Sequence, residues 1–136
     1  MSRILVIDDD KVFAKLISTF LQQKGHEVTS ASDGDEGMAH VQRTDFDVVV
    51  CDIVMPNREG IETIRDLRAS RDDTAIVAIS GGLSPAVHSS SVDVLDLAEM
   101  MGADVSLSKP FPLADLAAAV NRALTLRRQT NQRVAS

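Results

Sequence analysis

Apolar positions along this chain alternate between short unbroken runs and helical spacing. Ile4–Ile7 is a continuous apolar run ended by acid, the pattern of a strand buried on both faces of a parallel sheet. Val12, Phe13, Leu16, Ile17, Phe20 and Leu21 then recur at helical spacing until Gly25 stops them. His26–Ser30 reads as a second, weaker strand. Ser32 and Asp33 suit the cap of a second helix carrying Met38 and Val41, although Gly34 and Gly37 weaken it. Val48–Cys51 is a third strand. Ile61, Ile64, Leu67 and Arg68 continue a third helix after the Pro56–Gly60 loop, and Ala75–Ile79 is a fourth strand running into Ser80-Gly81-Gly82. From Leu83 the chain is a Ser-rich loop that turns helical around Val92, Leu95, Leu97, Met100 and Met101. Val105–Leu107 makes a fifth strand. Leu113, Leu116, Val120, Ala123 and Leu124 mark a last helix, opened by Pro112 in its first turn. Five alternations predict an α/β fold: a doubly wound parallel sheet, helices on both faces, linked by right-handed crossovers.

Composition narrows the setting. The 136 residues suit one domain, expected over 1–126, with 127–136 a short polar tail and no output domain after it. A single cysteine excludes an internal disulfide and fits a reducing compartment. No apolar run approaches the length of a bilayer span, and three aspartates cut the N-terminal apolar run too early for a signal peptide. A net charge of −6 argues against direct nucleic-acid binding. The expectation is a cytoplasmic protein with no membrane contact.

Doubly wound sheets gather ligands at the carboxyl ends of their strands. Asp8, Asp9 and Asp10 end strand 1, Asp52 ends strand 3, Ser80 ends strand 4, and Lys109 follows strand 5. A lone carboxylate closing the V-V-V-C run is costly to bury, so Asp52 needs company. Clustered carboxylates repel unless a cation lies between them. Oxygen ligands without His or Cys at ligand spacing favour a hard ion, and Mg²⁺ is the usual choice beside phosphate. A carboxylate oxygen can attack a phosphoryl donor to give an acyl phosphate, and Asp52, at a rigid strand end, is best placed to do so. Lys109 and the metal would neutralise the developing charge, and Ser80 would hydrogen-bond the phosphoryl oxygens.

The blocks I-L-V-I-D-D-D, D-V-V-V-C-D-I-V-M-P, A-I-S-G-G and L-S-K-P-F resemble, in order, the signature blocks of response-regulator receiver domains, from Arg3 to about Leu126. The resemblance is to the stand-alone type typified by the chemotaxis response regulator. It implies a flavodoxin-like sheet of strand order 2-1-3-4-5 with five helices. It also implies that a histidine kinase or histidine phosphotransfer protein donates phosphate to Asp52. Asp8 and Asp9 would hold Mg²⁺ together with Asp52 and the backbone carbonyl of Val54. Ser80 would be the switch hydroxyl, Lys109 the family's lysine, and the Lys109-Pro110 bond cis. The signal would leave through the helix 4–strand 5–helix 5 face to a downstream protein. Such a chain promotes its own phosphorylation and slow dephosphorylation and is not a turnover enzyme.

Some positions depart from that pattern. Ser106 stands where the family usually carries an aromatic ring, and the chain has no Tyr or Trp. Lys109 lies 29 positions after Ser80, longer than is common, and the extra length falls in L-S-P-A-V-H-S-S-S. The expectation is that this 83–91 loop and the start of helix 4 carry the switch. Val54 and Gly82 offer no acid or amide to orient water, which predicts slow self-hydrolysis.

Several residues have plainer readings. Asp10 suits the positive start of helix 1 better than a metal site, Cys51 a buried apolar role, and Arg58 a solvated one. His26, His40 and His88 share no ligand spacing. Arg122, Arg127, Arg128 and Arg133 read as cations at a fraying helix end or as a docking site for an acidic partner. Two alternatives remain open: a Mg²⁺-dependent phosphatase, whose D-x-D motif Asp8 and Asp10 satisfy, and an interaction module that works without phosphorylation.

Overall fold

A computed structural model of the chain describes residues 1–54, 60–81 and 94–135. Arg58, Gly82, His88, Val92 and the 83–91 loop lie outside the described residues. The elements run β1 (Arg3–Ile7), α1 (Lys11–Gln23), β2 (Glu27–Ala31), α2 (Gly34–Arg43), β3 (Val48–Asp52), α3 (Gly60–Ser70), β4 (Ala75–Ser80), α4 (Val94–Met101), β5 (Val105–Ser108) and α5 (Leu113–Ala135). All strands are parallel and lie in the order β2-β1-β3-β4-β5. The expected strands are present to within a residue at each end.

Strand alternation builds two cores. Ile4, Val6, Val48, Val50, Ala75, Val77 and Ile79 face α1 and α5, where they meet Ala14, Ile17, Leu21, Leu116 and Val120. Leu5, Ile7, Val49, Cys51, Ile76 and Ala78 face α2, α3 and α4, meeting Val41, Ile64, Leu67 and Ala98. Because β1, β3 and β4 are covered on both sides, they read as unbroken apolar runs. Cys51 is fully buried in the second core and its thiol is pushed up by desolvation, so it packs as an apolar residue.

Local chemistry sets the helix ends. The Asp10 carboxylate accepts from the N–H groups of Val12 and Phe13, both at 3.1 Å, capping α1. Gly25, at φ 93°, takes the left-handed turn after α1. Asp33 caps α2 by accepting from Glu36 N–H at 2.8 Å. Gly37, which weakens α2 as a helix, is there because a Cβ would strike the Ile7 side chain; the helix needs that close approach to β1.

The residues after Leu126, expected as a short polar tail, are helical. α5 continues unbroken to Ala135, and Arg127 is no fraying cation: its side chain is 13% exposed and is paired with buried Asp104 at 2.6 Å. The ion pair supplies what the polar composition after Leu126 does not, a reason for that turn to pack against the domain.

Candidate functional site

Asp8 and Asp9 follow the last residue of β1, and Asp52 is the last residue of β3, its neighbour in the sheet. One carboxylate oxygen from each of these three lies within 4.8 Å of the others. Asp8 and Asp52 are buried, whereas Asp9 is exposed at the mouth. Asp10, the fourth acid considered, is turned away to cap α1.

Short contacts fix each carboxylate. Asp8 Oδ1 accepts from Asp10 N–H at 2.9 Å, and its Oδ2 accepts from Lys109 Nζ at 3.2 Å. Asp52 Oδ1 accepts from Val54 N–H at 2.9 Å, and Oδ2 lies 3.6 Å from Lys109 Nζ. Alternation along β3 puts Asp52 on the side of Val48 and Val50, facing α1 and α5, which is the side from which Lys109 arrives. Gly60 opens α3 against the end of β3, where a Cβ would collide with the backbone of Asp52 and Ile53. The strand end that carries Asp52 is therefore pinned by backbone packing.

Lys109 is held from several directions. Its N–H donates to the Ser80 carbonyl at 2.8 Å, extending the β4–β5 pairing and setting it beside the buried Ser80. Its bond to Pro110 is cis, as the resemblance implies. Its stem passes Gly81, where a Cβ would come within 3.1 Å of Cδ. Its ammonium sits 3.9 Å from the centre of the Phe13 ring, and Phe13 meets Phe111 edge-to-face at 6.0 Å. Phe13 reads in sequence only as apolar spacing and Phe111 only as the end of the L-S-K-P-F block; nothing local links position 13 to position 109.

Desolvation pushes the Asp52 carboxyl up to about 6; the Val54 amide opposes this, Asp8 adds to it and Lys109 opposes it. Three acids against one ammonium leave the pocket short of positive charge. The donors are all hard oxygens. An octahedral ion at about 2.1 Å from its ligands spans roughly 4.2 Å between opposite oxygens, and the three carboxylate oxygens all lie within 4.8 Å of one another. The residues therefore fit a divalent hard cation.

A family model for the response regulator receiver domain matches residues 4–121. This chain belongs to that family. Receiver domains are the signal-accepting parts of two-component systems, and this one is similar to response regulators of full length. It is 34% identical over 122 residues to the response regulator MprA of Mycobacterium leprae, covering 90% of this chain and 50% of that protein. It is 36% identical over 128 residues to the transcriptional regulatory protein PrrA of the same organism, covering 94% of this chain and 52% of that one. The chain thus spans about half the length of these relatives. Among solved structures, the receiver domain superposes on a chemotaxis response regulator of Vibrio cholerae at TM-score 0.77 and 30% identity, covering 90% of this chain and 98% of that one. A receiver domain protein from Methanospirillum hungatei gives TM-score 0.82 at 25% identity, covering 96% and 98%. Because some relatives are transcriptional regulators, the expected absence of nucleic-acid contact gains no support from them. No helix among the described residues is long and apolar enough to cross a membrane.

Proposed function

We propose that this receiver domain accepts a phosphoryl group on Asp52 from the phosphohistidine of a histidine kinase or phosphotransfer protein, in a Mg²⁺-dependent step, as a cytoplasmic phospho-switch. The observation that carries the reading is the meeting of Asp8, Asp9, Asp52 and Lys109 at one sheet edge. An oxygen of ionised Asp52 attacks phosphorus. The new O–P bond forms as the P–N bond breaks, and the electron pair leaves on the imidazole, which takes up a proton. Lys109, 3.6 Å from Asp52, is within reach of the incoming phosphoryl oxygens. Ser80 ends the neighbouring strand, where its hydroxyl would stabilise the same oxygens. Asp8, Asp9 and Asp52, with the Val54 carbonyl, would hold Mg²⁺, which neutralises phosphoryl charge when bound.

The phosphatase reading is weaker because it needs Asp10 as its second acid, and that carboxylate is committed to the cap of α1. Phos-tag electrophoresis after acetyl phosphate separates the readings. Asp52→Asn should abolish the shifted band, whereas loss only in Asp8→Asn, with Asp52→Asn still labelled, would favour the phosphatase. A wild-type protein that never shifts would favour the interaction module.

The chain acts as a regulator and not as a turnover enzyme. Its output surface is the α4–β5–α5 face, where Ser106 Oγ and the Glu99 carboxylate form a short hydrogen bond in place of the usual ring. A downstream protein would read that face. Val54, 44% exposed beside Asp52, leaves attacking water without a polar guide. Phosphate loss, followed by the decay of the Phos-tag band, should therefore quicken several-fold in Val54→Asn.

A further inference from the structure

The Lys109 ammonium has three N–H donors, and its described partners use them unevenly. Asp8 Oδ2 accepts at 3.2 Å, and Asp52 Oδ2 at 3.6 Å attracts without a hydrogen bond. The remaining side is covered by the face of Phe13, 3.9 Å from nitrogen to ring centre. That is well inside the roughly 6 Å reach of a cation–π contact. We propose that Phe13 is a positioning residue: its ring holds the Lys109 ammonium at the α1 wall of the pocket, against the pull of the acid cluster.

Three further features of the fold support this. Asp10 caps α1 by accepting from the Phe13 N–H, so the acid run itself sets the turn from which the ring projects. Phe111, two residues after Lys109, packs against the ring at an interplanar angle of 83°, bracing it edge-to-face. Gly81 leaves room for the lysine stem, where a Cβ would crowd Cδ at 3.1 Å, so the side chain passes between the end of β4 and the ring. The lysine is 19% exposed, and the ring removes water from the side that the carboxylates do not reach.

The consequence is electrostatic. An ammonium drawn fully onto Asp8 would neutralise an acid that the cluster offers to a cation. A ring face attracts the ammonium without adding another anion, and its attraction persists when the charge on Asp52 changes. A mere apolar filler would need only the shape of phenylalanine, whereas this role needs its electron-rich face.

This role rests on the phosphoryl-acceptor reading, but the first readout of its test does not depend on that reading. Phe13 is replaced by 4-fluoro-, 3,5-difluoro- and 3,4,5-trifluorophenylalanine, which keep the shape and drain the ring face, and by Leu and Trp. The first readout is the order of the Lys109 ammonium from ¹⁵N relaxation, measured without donor or metal. The second is the rate of acetyl phosphate labelling. The role predicts a graded loss of lysine order with fluorination and a fall in rate of about two- to thirty-fold in Phe13→Leu, the range spanned by cation–π contacts. Phe13→Trp should retain both. Equal lysine order and equal rates across the fluorinated series would overturn the role, even if Phe13→Leu were impaired. Lysine order that grades with fluorination while Asp52→Asn still labels would leave the ring contact standing and remove the acceptor reading.

Discussion

At the carboxyl edge of the sheet one ammonium faces three carboxylates; at the amino edge two guanidiniums share one. Asp104, just before β5 and 6% exposed, accepts from Arg68 at 3.0 Å, Arg127 at 2.6 Å and Ile76 N–H at 2.8 Å. Arg68 also donates to the carbonyls of Gly102, Arg71, Asp72 and Thr74. Arg127 donates to the Asp72 carbonyl, and its Nε is buried without a hydrogen-bond partner among the described residues. This cluster ties the ends of α3 and α5 to the entry of β4 and β5. Its two cations exceed its one carboxylate, but backbone carbonyls accept most of the remaining guanidinium N–H groups, so it has little left to offer a ligand. The Asp8–Asp9–Asp52–Lys109 cluster is the reverse: it keeps excess negative charge that folding does not compensate. The difference separates a structural ion cluster from a reactive one: the first is saturated by the protein, and the second depends on something from outside.

The sharpest way to break the comparison is at the saturated end. Asp104→Asn removes the carboxylate that, among the described residues, two largely buried guanidiniums share, and should cost about 3–5 kcal/mol, as breaking one partner of a buried ion pair does. Urea unfolding followed by circular dichroism measures it. Arg127→Met leaves Arg68 to balance Asp104 and should cost less than half as much. A loss below 1 kcal/mol in Asp104→Asn would mean that the amino edge is no more committed than the carboxyl edge.

At the other end the same kind of substitution should have the opposite sign. Asp52 is held at about 6 in the fold against a usual value of 3.8, chiefly by desolvation. Between those values the folded state keeps a proton that the unfolded chain has lost. Stability from this group therefore falls as pH rises from about 4 through 6, and the ionised form costs most above 6. Asp52→Asn has no such charge. In EDTA it should be more stable than wild type at pH 7.5 by on the order of 2 kcal/mol, and the gap should close by about pH 4. Thermal unfolding across that range checks it, and a gap independent of pH would show that burial of charge is not its cause.

These contrasts also show which parts of the molecule were legible in sequence. Asp8, Asp9, Asp52, Ser80 and Lys109 could be assembled because each follows an apolar run, and a parallel sheet brings all such run ends to one edge. The fold followed from the same periodicity, since burial on both faces leaves unbroken runs in β1, β3 and β4. The amino-edge cluster had no such signal. Asp104 and Arg127 are polar residues in polar stretches, and their burial depends on a pairing 23 positions apart that only the packed helix creates. Arg68 was legible as a helix residue but not as the donor that joins Gly102 to Thr74. Phe13 was visible as helix core but not as a cover for Lys109, because strand ends announce themselves by pattern and side-chain meetings across the sheet do not. The polar composition after Leu126 pointed to a fraying tail for the same reason.

The smallest expected effect tests what the unsaturated cluster is waiting for. A ligand that binds only the folded state stabilises it by RT ln(1 + [L]/Kd), about 1.4 kcal/mol at ten times Kd. Mg²⁺ should raise the unfolding midpoint of wild type by that order at neutral pH. Asp9→Asn removes an exposed acid of the cluster without disturbing a buried partner, so it should fold as wild type does in EDTA yet lose most of the Mg²⁺ increment. Asp104→Asn, although much less stable, should keep the increment in full, because the two edges share no ligand. A Mg²⁺ response that disappeared in Asp104→Asn while surviving in Asp9→Asn would show that the ion acts at the amino edge. In that case excess carboxylate would not mark the site that takes the cation.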